Sequence, residues 1–479
     1  MKLSQLFAEQ SLPQDIEITG MTADSRLVKP GFLFAALKGV AHDGRDFIDM
    51  AIEAGAVAIL TDKGAADVGK AIQVESEEPR LALAKAAARF YAQQPETIVA
   101  VTGTNGKSST VDFLRQIWTT LGLRAASMGT LGAIGPDGKL DLGHTTPDPV
   151  AIHRTLAELS ANKVSHVAME ASSHGLAQFR LDGVKLSAAA FTNLTQDHLD
   201  YHADFAEYRE AKRRLFTEVS PKGALAVISA DSDETASFED AANAAGLNVF
   251  SVGWRGADLK IRELSPRATG QVMDTLYQGK AYDITLPLIG EFQALNALAA
   301  AGLAIGLGAE AEQVFAALET LTTVKGRLEF VGETAKGAAV FVDYAHTPDG
   351  LDVLLRAARP HTAGKLKVIF GCGGDRDPYK RPMMGEVAAR LADEAIVTDD
   401  NPRSEDPASI RNAILAACPN AIEIGDRAEA IRTAIAGLEH GDTLLIAGKG
   451  HETGQIVGSE IIPFSDQDTA RDAMEAELC

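Results

Sequence analysis

The chain has 479 residues, 46% of them hydrophobic and 23% charged, a globular composition too long for one domain at roughly 150 residues each. Its 45 Lys and Arg against 66 Asp and Glu give a net charge of −21, which argues against non-specific binding to nucleic acid or an anionic membrane. An anionic substrate is still allowed, because it needs only local cations and helix N-termini.

The three cysteines, Cys372, Cys418 and Cys479, are scattered and odd in number, which argues against a disulfide framework or structural zinc and fits a reducing cytosol. Residues 1–10 carry Lys2 and Glu9 around a short apolar patch, with no long apolar core or cleavage signal. No apolar run approaches the ~20 residues that span a bilayer. A cytoplasmic α/β enzyme is expected.

In chain order, the pattern predicts a helix over 81–91, a strand over 97–101 and a helix over 112–121. Strands follow over 164–169, 188–191 and 224–228, then a helix over 294–307. The last third predicts strands over 340–342, 367–370, 394–397 and 443–446, with a helix over 386–392. Apolar strands alternating with helices imply parallel sheets covered on both faces. Gln93-Gln94-Pro95 and the neighbourhood of Gly326 read as boundaries, giving domains of about 1–95, 96–326 and 327–479. No internal repeat is evident.

The strongest local signal is Val99-Ala100-Val101-Thr102-Gly103-Thr104-Asn105-Gly106-Lys107-Ser108-Ser109, a strand running through a glycine loop into a helix. Glycines let successive N–H groups surround phosphate oxygens; Lys107 adds a point charge, and the Ser108 hydroxyl can ligate Mg²⁺. Val101 stands where the general phosphate loop has glycine, so this is a shorter variant. Glu170, in Met169-Glu170-Ala171-Ser172-Ser173-His174-Gly175, ends another apolar strand and is a hard oxygen ligand suited to Mg²⁺. The turn Asp197-His198-Leu199-Asp200-Tyr201-His202, taken alone, reads first as a hydrogen-bonded structural loop. Lys212 alone reads as a solvated helix lysine.

Residues 102–108 resemble the ATP loop of the Mur ligases, which build the peptide stem of bacterial cell-wall precursors, and of the related folylpolyglutamate synthetases. The resemblance extends over essentially the whole chain. It implies a three-domain α/β fold: an N-terminal domain for a UDP-sugar substrate, a central P-loop ATPase domain with a parallel sheet, and a C-terminal Rossmann-like domain for the incoming amino acid. It assigns Gly103, Thr104, Asn105, Gly106, Lys107, Ser108 and Ser109 to ATP, with Asn296 at the adenine, Arg327 and Asp343. Gln293 and Lys325 depart from the family pattern, where asparagine and proline are usual. It assigns Mg²⁺ to Ser108, Glu170 and His198, and aligns Lys212 with a lysine carbamylated by CO₂ (N6-carboxylysine). Lys107, Glu170, His198 and Lys212 are the expected catalytic groups.

The acceptor is narrowed by two loops, each after a predicted strand and so at the carboxyl edge where α/β sheets bind ligands. They hold Gly373-Gly374-Asp375-Arg376 through Arg381, and Asp399-Asp400-Asn401-Pro402-Arg403. Arg381 and Arg403 can grip carboxylates, while Asp400 and Glu452 can receive ammonium groups. The Asp-Asn-Pro-Arg stretch resembles the signature of family members that add meso-diaminopimelate, with Gly448 completing the pocket. The donor, UDP-N-acetylmuramoyl-L-alanyl-D-glutamate, is assigned by resemblance to Ala23, Ser25, Val40, Ala41, His42, His144, Thr145, Thr146, Ser172, Gln178 and Arg180. Without it, the segments around residues 24 and 42 read as turns. The expectation is an ATP- and Mg²⁺-dependent monomeric ligase that proceeds through an acyl phosphate, with no nucleic-acid partner and no membrane insertion. Its rivals are addition of L-lysine, folylpolyglutamate synthesis and a non-ligating ATP-binding regulator.

Overall fold

Four short strands, Gly20–Thr22, Phe32–Ala35, Ala56–Asp62 and Ile72–Ser76, pair in that order into a parallel sheet. Successive side chains point to opposite faces. Leu33, Ala35, Ala58 and Leu60 pack with Leu83 and Ala87 of helix Pro79–Phe90. Phe34 and Ile59 pack with Ile48 and Ala51 of helix Ile48–Glu53. These elements belong to the computed structural model of the chain, which describes residues 1–9, 12–39, 42–64, 67–195 and 201–477.

Contacts divide the chain into two units: Met1–Asp258 with Ala299–Glu310, and Leu259–Leu298 with the residues from Ala311 on. In the first unit, strand Thr97–Thr102 lies between His166–Glu170 and Ala188–Phe191, parallel to both. Leu225–Ser229 and Asn248–Gly253 extend the sheet on one side. Ala125–Gly129 and the antiparallel edge strands Gly132–Gly135 and Gly138–Leu140 extend it on the other. From Thr97–Thr102 the chain runs out to Ala125–Gly129, returns to His166–Glu170, then crosses to Ala188–Phe191. That reversal is the switch point at which such sheets hold ligands, at the strands' carboxyl ends.

In the second unit, Leu259–Arg267, Gly270–Tyr277 and Lys280–Leu286 form an antiparallel meander. A separate six-stranded sheet runs Glu329–Glu333, Ala339–Asp343, Thr443–Ala447, Leu366–Phe370, Glu394–Val397, Ile422–Glu423. It is parallel except at its first strand. Val368 and Phe370 face Leu351 and Leu355 of helix Pro348–Ala358. Ile369 faces Ile431 and Ala434 of helix Arg427–Ala436. Thr347, Asp406, Asp426 and Ser465 each accept an N–H in the first turn of the helix they precede, worth about 1 kcal/mol apiece. The layers are those of a doubly wound Rossmann-like sheet, as expected.

Strands 188–191 and 394–397 fall where the sequence places them, and the other predicted strands shift or extend by one or two residues. No helix among the described residues is long and apolar enough to cross a membrane.

Candidate active site

The phosphate loop leaves the carboxyl end of Thr97–Thr102 and enters helix Lys107–Thr120 through Gly106 at φ 86°. Gly103, at φ 152°, lies so close to Thr192 that a Cβ there would meet Thr192 Oγ1 at 1.9 Å. Only glycine fits. The loop is braced by the segment after Ala188–Phe191: Thr104 N donates to Asn193 O at 2.9 Å, Asn105 N to Asn193 Oδ1 at 3.0 Å, and Thr192 Oγ1 to Asn105 O at 2.6 Å. Lys107 Nζ donates to Gly103 O at 2.9 Å and Thr104 O at 2.8 Å, folding its charge over the loop.

Glu170 is buried at the end of its strand. Its Oε1 accepts from Ser108 Oγ at 2.8 Å and from Thr130 N at 2.9 Å. Ser108 and Glu170 thus set two hard oxygen donors at the loop, the chemistry Mg²⁺ takes alongside phosphate oxygens and water. No group of three or more His, Cys, Asp or Glu fit to hold a metal gathers among the described residues. His198 lies outside those residues, as do its neighbours Asp197 and Asp200.

The reading of Lys212 as a solvated lysine is corrected. It is 1% exposed, its Nζ donates to Gly103 O at 2.8 Å, and it lies 4.6 Å from the Tyr208 ring centroid. In helix Phe205–Arg214, residues 208, 211 and 212 share the inward face, while the neighbouring arginines stay partly exposed. Tyr208 Oη pairs with Thr104 Oγ1 at 3.0 Å. Tyr208 and Lys212 therefore both reach the loop from one helix.

The residues expected at the donor peptide also converge. Thr146 Oγ1 donates to Glu170 O and accepts from Ser172 N, both at 3.0 Å. Arg180 Nη1 donates to Thr146 O at 2.5 Å and Nη2 to Gln178 Oε1 at 2.8 Å, and Gln178 Nε2 donates to Tyr201 Oη at 2.9 Å. Burial pushes the Arg180 guanidinium below its ordinary value, opposed by Asp148 and helped by Arg80. Thr145 Oγ1 lies 3.0 Å from Thr130 Oγ1, and His144 is exposed beside it. In the first sheet's loops, Asp24 caps the turn that begins at Ser25, next to exposed Ala23. Asp43 caps the next turn after exposed His42, its carboxyl drawn down to about 2 by hydrogen bonds from Arg45. Val40 and Ala41 lie outside the described residues.

In the second unit, Asn296 Nδ2 donates to Gln293 Oε1 at 3.2 Å, and Gln293 Nε2 reaches Arg327 O at 3.4 Å. The longer Gln293 side chain thus ties two residues expected at the nucleotide. Arg327 lies over the Tyr344 ring at 4.8 Å. Burial raises the Asp343 carboxyl, and the N–H groups of Ala345 (2.7 Å) and Leu328 (2.6 Å) pull against that rise.

The residues expected at the acceptor meet at the carboxyl edge of the six-stranded sheet. Asn401 Nδ2 donates to Glu452 Oε2 at 2.9 Å, and Asn401 Oδ1 accepts from Ile456 N at 2.9 Å. Burial would raise Glu452, but hydrogen bonds from Lys449 and Asn401 outweigh it and hold the carboxyl below its ordinary value. Asp400 Oδ2 is buried with no hydrogen-bond donor among the described residues, 2.6 Å from where a Cβ on Gly448 would stand. Arg403, which follows Pro402, sits at φ 52°, with its N–H on Ile456 O at 3.1 Å and its Nη1 on Gly374 O at 2.8 Å. Arg381, buried, pairs with Glu405 at 2.9 Å. Both arginines therefore have partners that a bound carboxylate would have to share or displace.

Models of known families match three stretches: the Mur ligase family catalytic domain at residues 17–91, the Mur ligase middle domain at 101–304 and the Mur ligase glutamate ligase domain at 326–450. The chain belongs to the Mur ligase family. A UDP-N-acetylmuramoyl-L-alanyl-D-glutamate–2,6-diaminopimelate ligase of Bradyrhizobium diazoefficiens is 54% identical over 97% of this chain and 96% of its own. One of Caulobacter vibrioides is 53% identical over 99% of each. A solved structure under the same enzyme name superimposes with a TM-score of 0.79 at 30% identity, covering 100% of this chain and 99% of the other. The fold is shared more distantly with MurF of Thermotoga maritima in complex with ADP, at 19% identity over 96% and 97% of the two chains and a TM-score of 0.63.

Within this Mur ligase framework the structure adds residues the sequence reading left out. Thr130 holds Glu170, Tyr201 holds Gln178, and Arg80 Nη1 lies 3.5 Å from Gln178 Oε1. Thr130 and Arg80 belong to no motif singled out in the sequence, whereas Tyr201 lies in the turn 197–202. Tyr208 had a signal, its four-residue spacing from Lys212 on one helix.

Proposed function

We propose that the chain is an ATP-dependent ligase that joins meso-diaminopimelate to UDP-N-acetylmuramoyl-L-alanyl-D-glutamate in peptidoglycan-precursor synthesis. The reading is carried by the match along nearly the whole chain, at 53 and 54% identity, to relatives named for that reaction. Residues 1–95 take the UDP-sugar, 96–326 take ATP and 327–479 take the amino acid. The protein acts in the cytoplasm as a monomer.

The D-glutamate γ-carboxylate attacks the γ-phosphorus of ATP, giving an acyl phosphate and ADP. An amine of diaminopimelate then attacks the acyl carbon, and the tetrahedral intermediate expels phosphate as the amide forms and the amine loses its proton. The loop N–H groups and Lys107 surround the phosphates, Lys107 turning from the Gly103 and Thr104 carbonyls to the developing charge. Ser108, Glu170 and His198 would hold Mg²⁺, which would supply charge neutralisation at the phosphates. Lys212, as a carbamate, is the anionic partner of that region. Asn296, Arg327 and Asp343 hold the nucleoside, and Thr146, Ser172, Gln178 and Arg180 orient the donor peptide. Arg381 and Arg403 take the acceptor's carboxylates, while Asp400 and Glu452 take its ammonium groups.

Hydroxylamine tests the route. With ATP and donor but no amino acid, it traps the acyl phosphate as the donor hydroxamate, detected by mass. No hydroxamate from an enzyme that still ligates would contradict the intermediate.

A further inference from the structure

Lys449 is 0% exposed, and a buried ammonium is strongly disfavoured unless paired. Among the described residues, both hydrogen bonds of its Nζ go to side chains of the expected acceptor frame: Asn401 Oδ1 at 3.0 Å and Glu452 Oε2 at 2.8 Å. Asn401 Nδ2 closes the triangle on the same Glu452 oxygen at 2.9 Å. The loop carrying Asn401 follows strand Glu394–Val397, and the loop carrying Lys449 follows Thr443–Ala447. Those strands are not neighbours, because Leu366–Phe370 lies between them. The triangle therefore ties the loops of two non-adjacent strands, beside the isolated parallel bridge between Arg403 and Val457.

Its second effect is chemical. Lys449 and Asn401 occupy Glu452 Oε2, while Oε1 has no hydrogen-bond partner among the described residues. Asp400 Oδ2, on the residue before Asn401, likewise has none. Lys449 thus bears on both carboxylates, on Glu452 directly and on Asp400 through Asn401, whose N–H donates to Asp400 Oδ1 at 2.7 Å.

We propose that Lys449 is a positioning residue for the acceptor amino acid, acting through Asn401 and Glu452, an inference that rests on the function proposed above. The frame carries two carboxylates against one ammonium. If charge alone mattered, removing Lys449 would strengthen amine binding; if position matters, removal weakens it.

The test uses the full-length enzyme with Lys449→Met, which removes the ammonium and keeps the aliphatic stem. The expected result is a KM for meso-diaminopimelate raised roughly tenfold or more, the scale of a lost charged hydrogen bond. KM for ATP and for the UDP-linked donor should stay within about twofold, and hydroxamate formation without acceptor should be unchanged. Lys449→Gln, which keeps a neutral donor in the same place, serves where the Met variant does not fold, and must show the same split. An unchanged or lowered acceptor KM overturns the proposal, as does an equal fall in hydroxamate formation, which would mean general damage. Wild-type enzyme that ignores diaminopimelate would instead overturn the functional reading.

Discussion

Gly103→Ala tests whether the loop's backbone, rather than its lysine alone, binds phosphate. A Cβ there would stand 1.9 Å from Thr192 Oγ1 and 3.1 Å from Asn193 O. An ordinary contact needs roughly 3.5 Å, so loop and neighbouring segment must part by about 1.6 Å. The loop cannot absorb this locally, because Thr192 is bonded to Asn105 O at 2.6 Å and Asn193 O to Thr104 N at 2.9 Å. A misplacement of about 1 Å at a reacting group costs on the order of 100-fold in rate. At φ 152° the alanine also adds about 1–3 kcal/mol of backbone strain. The control is Gly122→Ala, just past the same helix, with φ 81° but nothing within 4 Å of a new Cβ. It carries strain of about 1 kcal/mol without a clash. Ligation rate, titration with a fluorescent ATP analogue and thermal unfolding are measured on both. Gly103→Ala should lose about two orders of magnitude in kcat/KM for ATP, and Gly122→Ala should lose stability only. Near wild-type ATP affinity and turnover in Gly103→Ala would show that the backbone at Gly103 does not set the phosphate site.

Asp466→Asn leaves Arg427 unpaired where both side chains are 0% exposed and bonded at 2.7 Å; a loss of about 3–5 kcal/mol is expected. Faster hydrogen exchange in strand Thr443–Ala447 should report it, since Ala447 O accepts from Arg427 at 3.0 Å, and unchanged exchange would contradict it. Lys212→Ala should lose most ligation activity and regain part of it with added short carboxylates; full activity without rescue would exclude the carbamate. Arg403→Ala should lower the ratio of specificity constants for meso-diaminopimelate over L-lysine, roughly tenfold to over a hundredfold in wild type if each charged hydrogen bond is worth about 1.5–3 kcal/mol. ATP affinity should hold, and an unchanged ratio would remove Arg403 from the second carboxylate.

The sheets were legible because buried parallel strands read as short apolar runs, as at Ala188–Phe191 and Glu394–Val397. The meander of Leu259–Leu286 was not, since its strands alternate polar and apolar residues and give no such run. The short strands Gly20–Thr22 and Phe32–Ala35 were too brief to stand out. At the site, the glycine loop and Glu170 were visible from residue type and placement after a strand. Lys212 was expected there only through the family resemblance, and Lys449 was not singled out, because a lone lysine reads as solvated until the partners of its ammonium are known. Those partners, Gly103 O for one and Asn401 with Glu452 for the other, come from segments 48 to 109 residues away, apart from Glu452 itself. Arg427 and Asp466, 39 residues apart, were missed for the same reason.

The most direct test supplies ATP, Mg²⁺ and UDP-N-acetylmuramoyl-L-alanyl-D-glutamate, then compares meso-diaminopimelate, L-lysine and L-glutamate as acceptors by phosphate release and product mass. One phosphate should be released per amide formed with meso-diaminopimelate, at a specificity constant at least about tenfold above that for L-lysine. Equal or better use of L-lysine, or phosphate release that no acceptor changes, would contradict the proposed function.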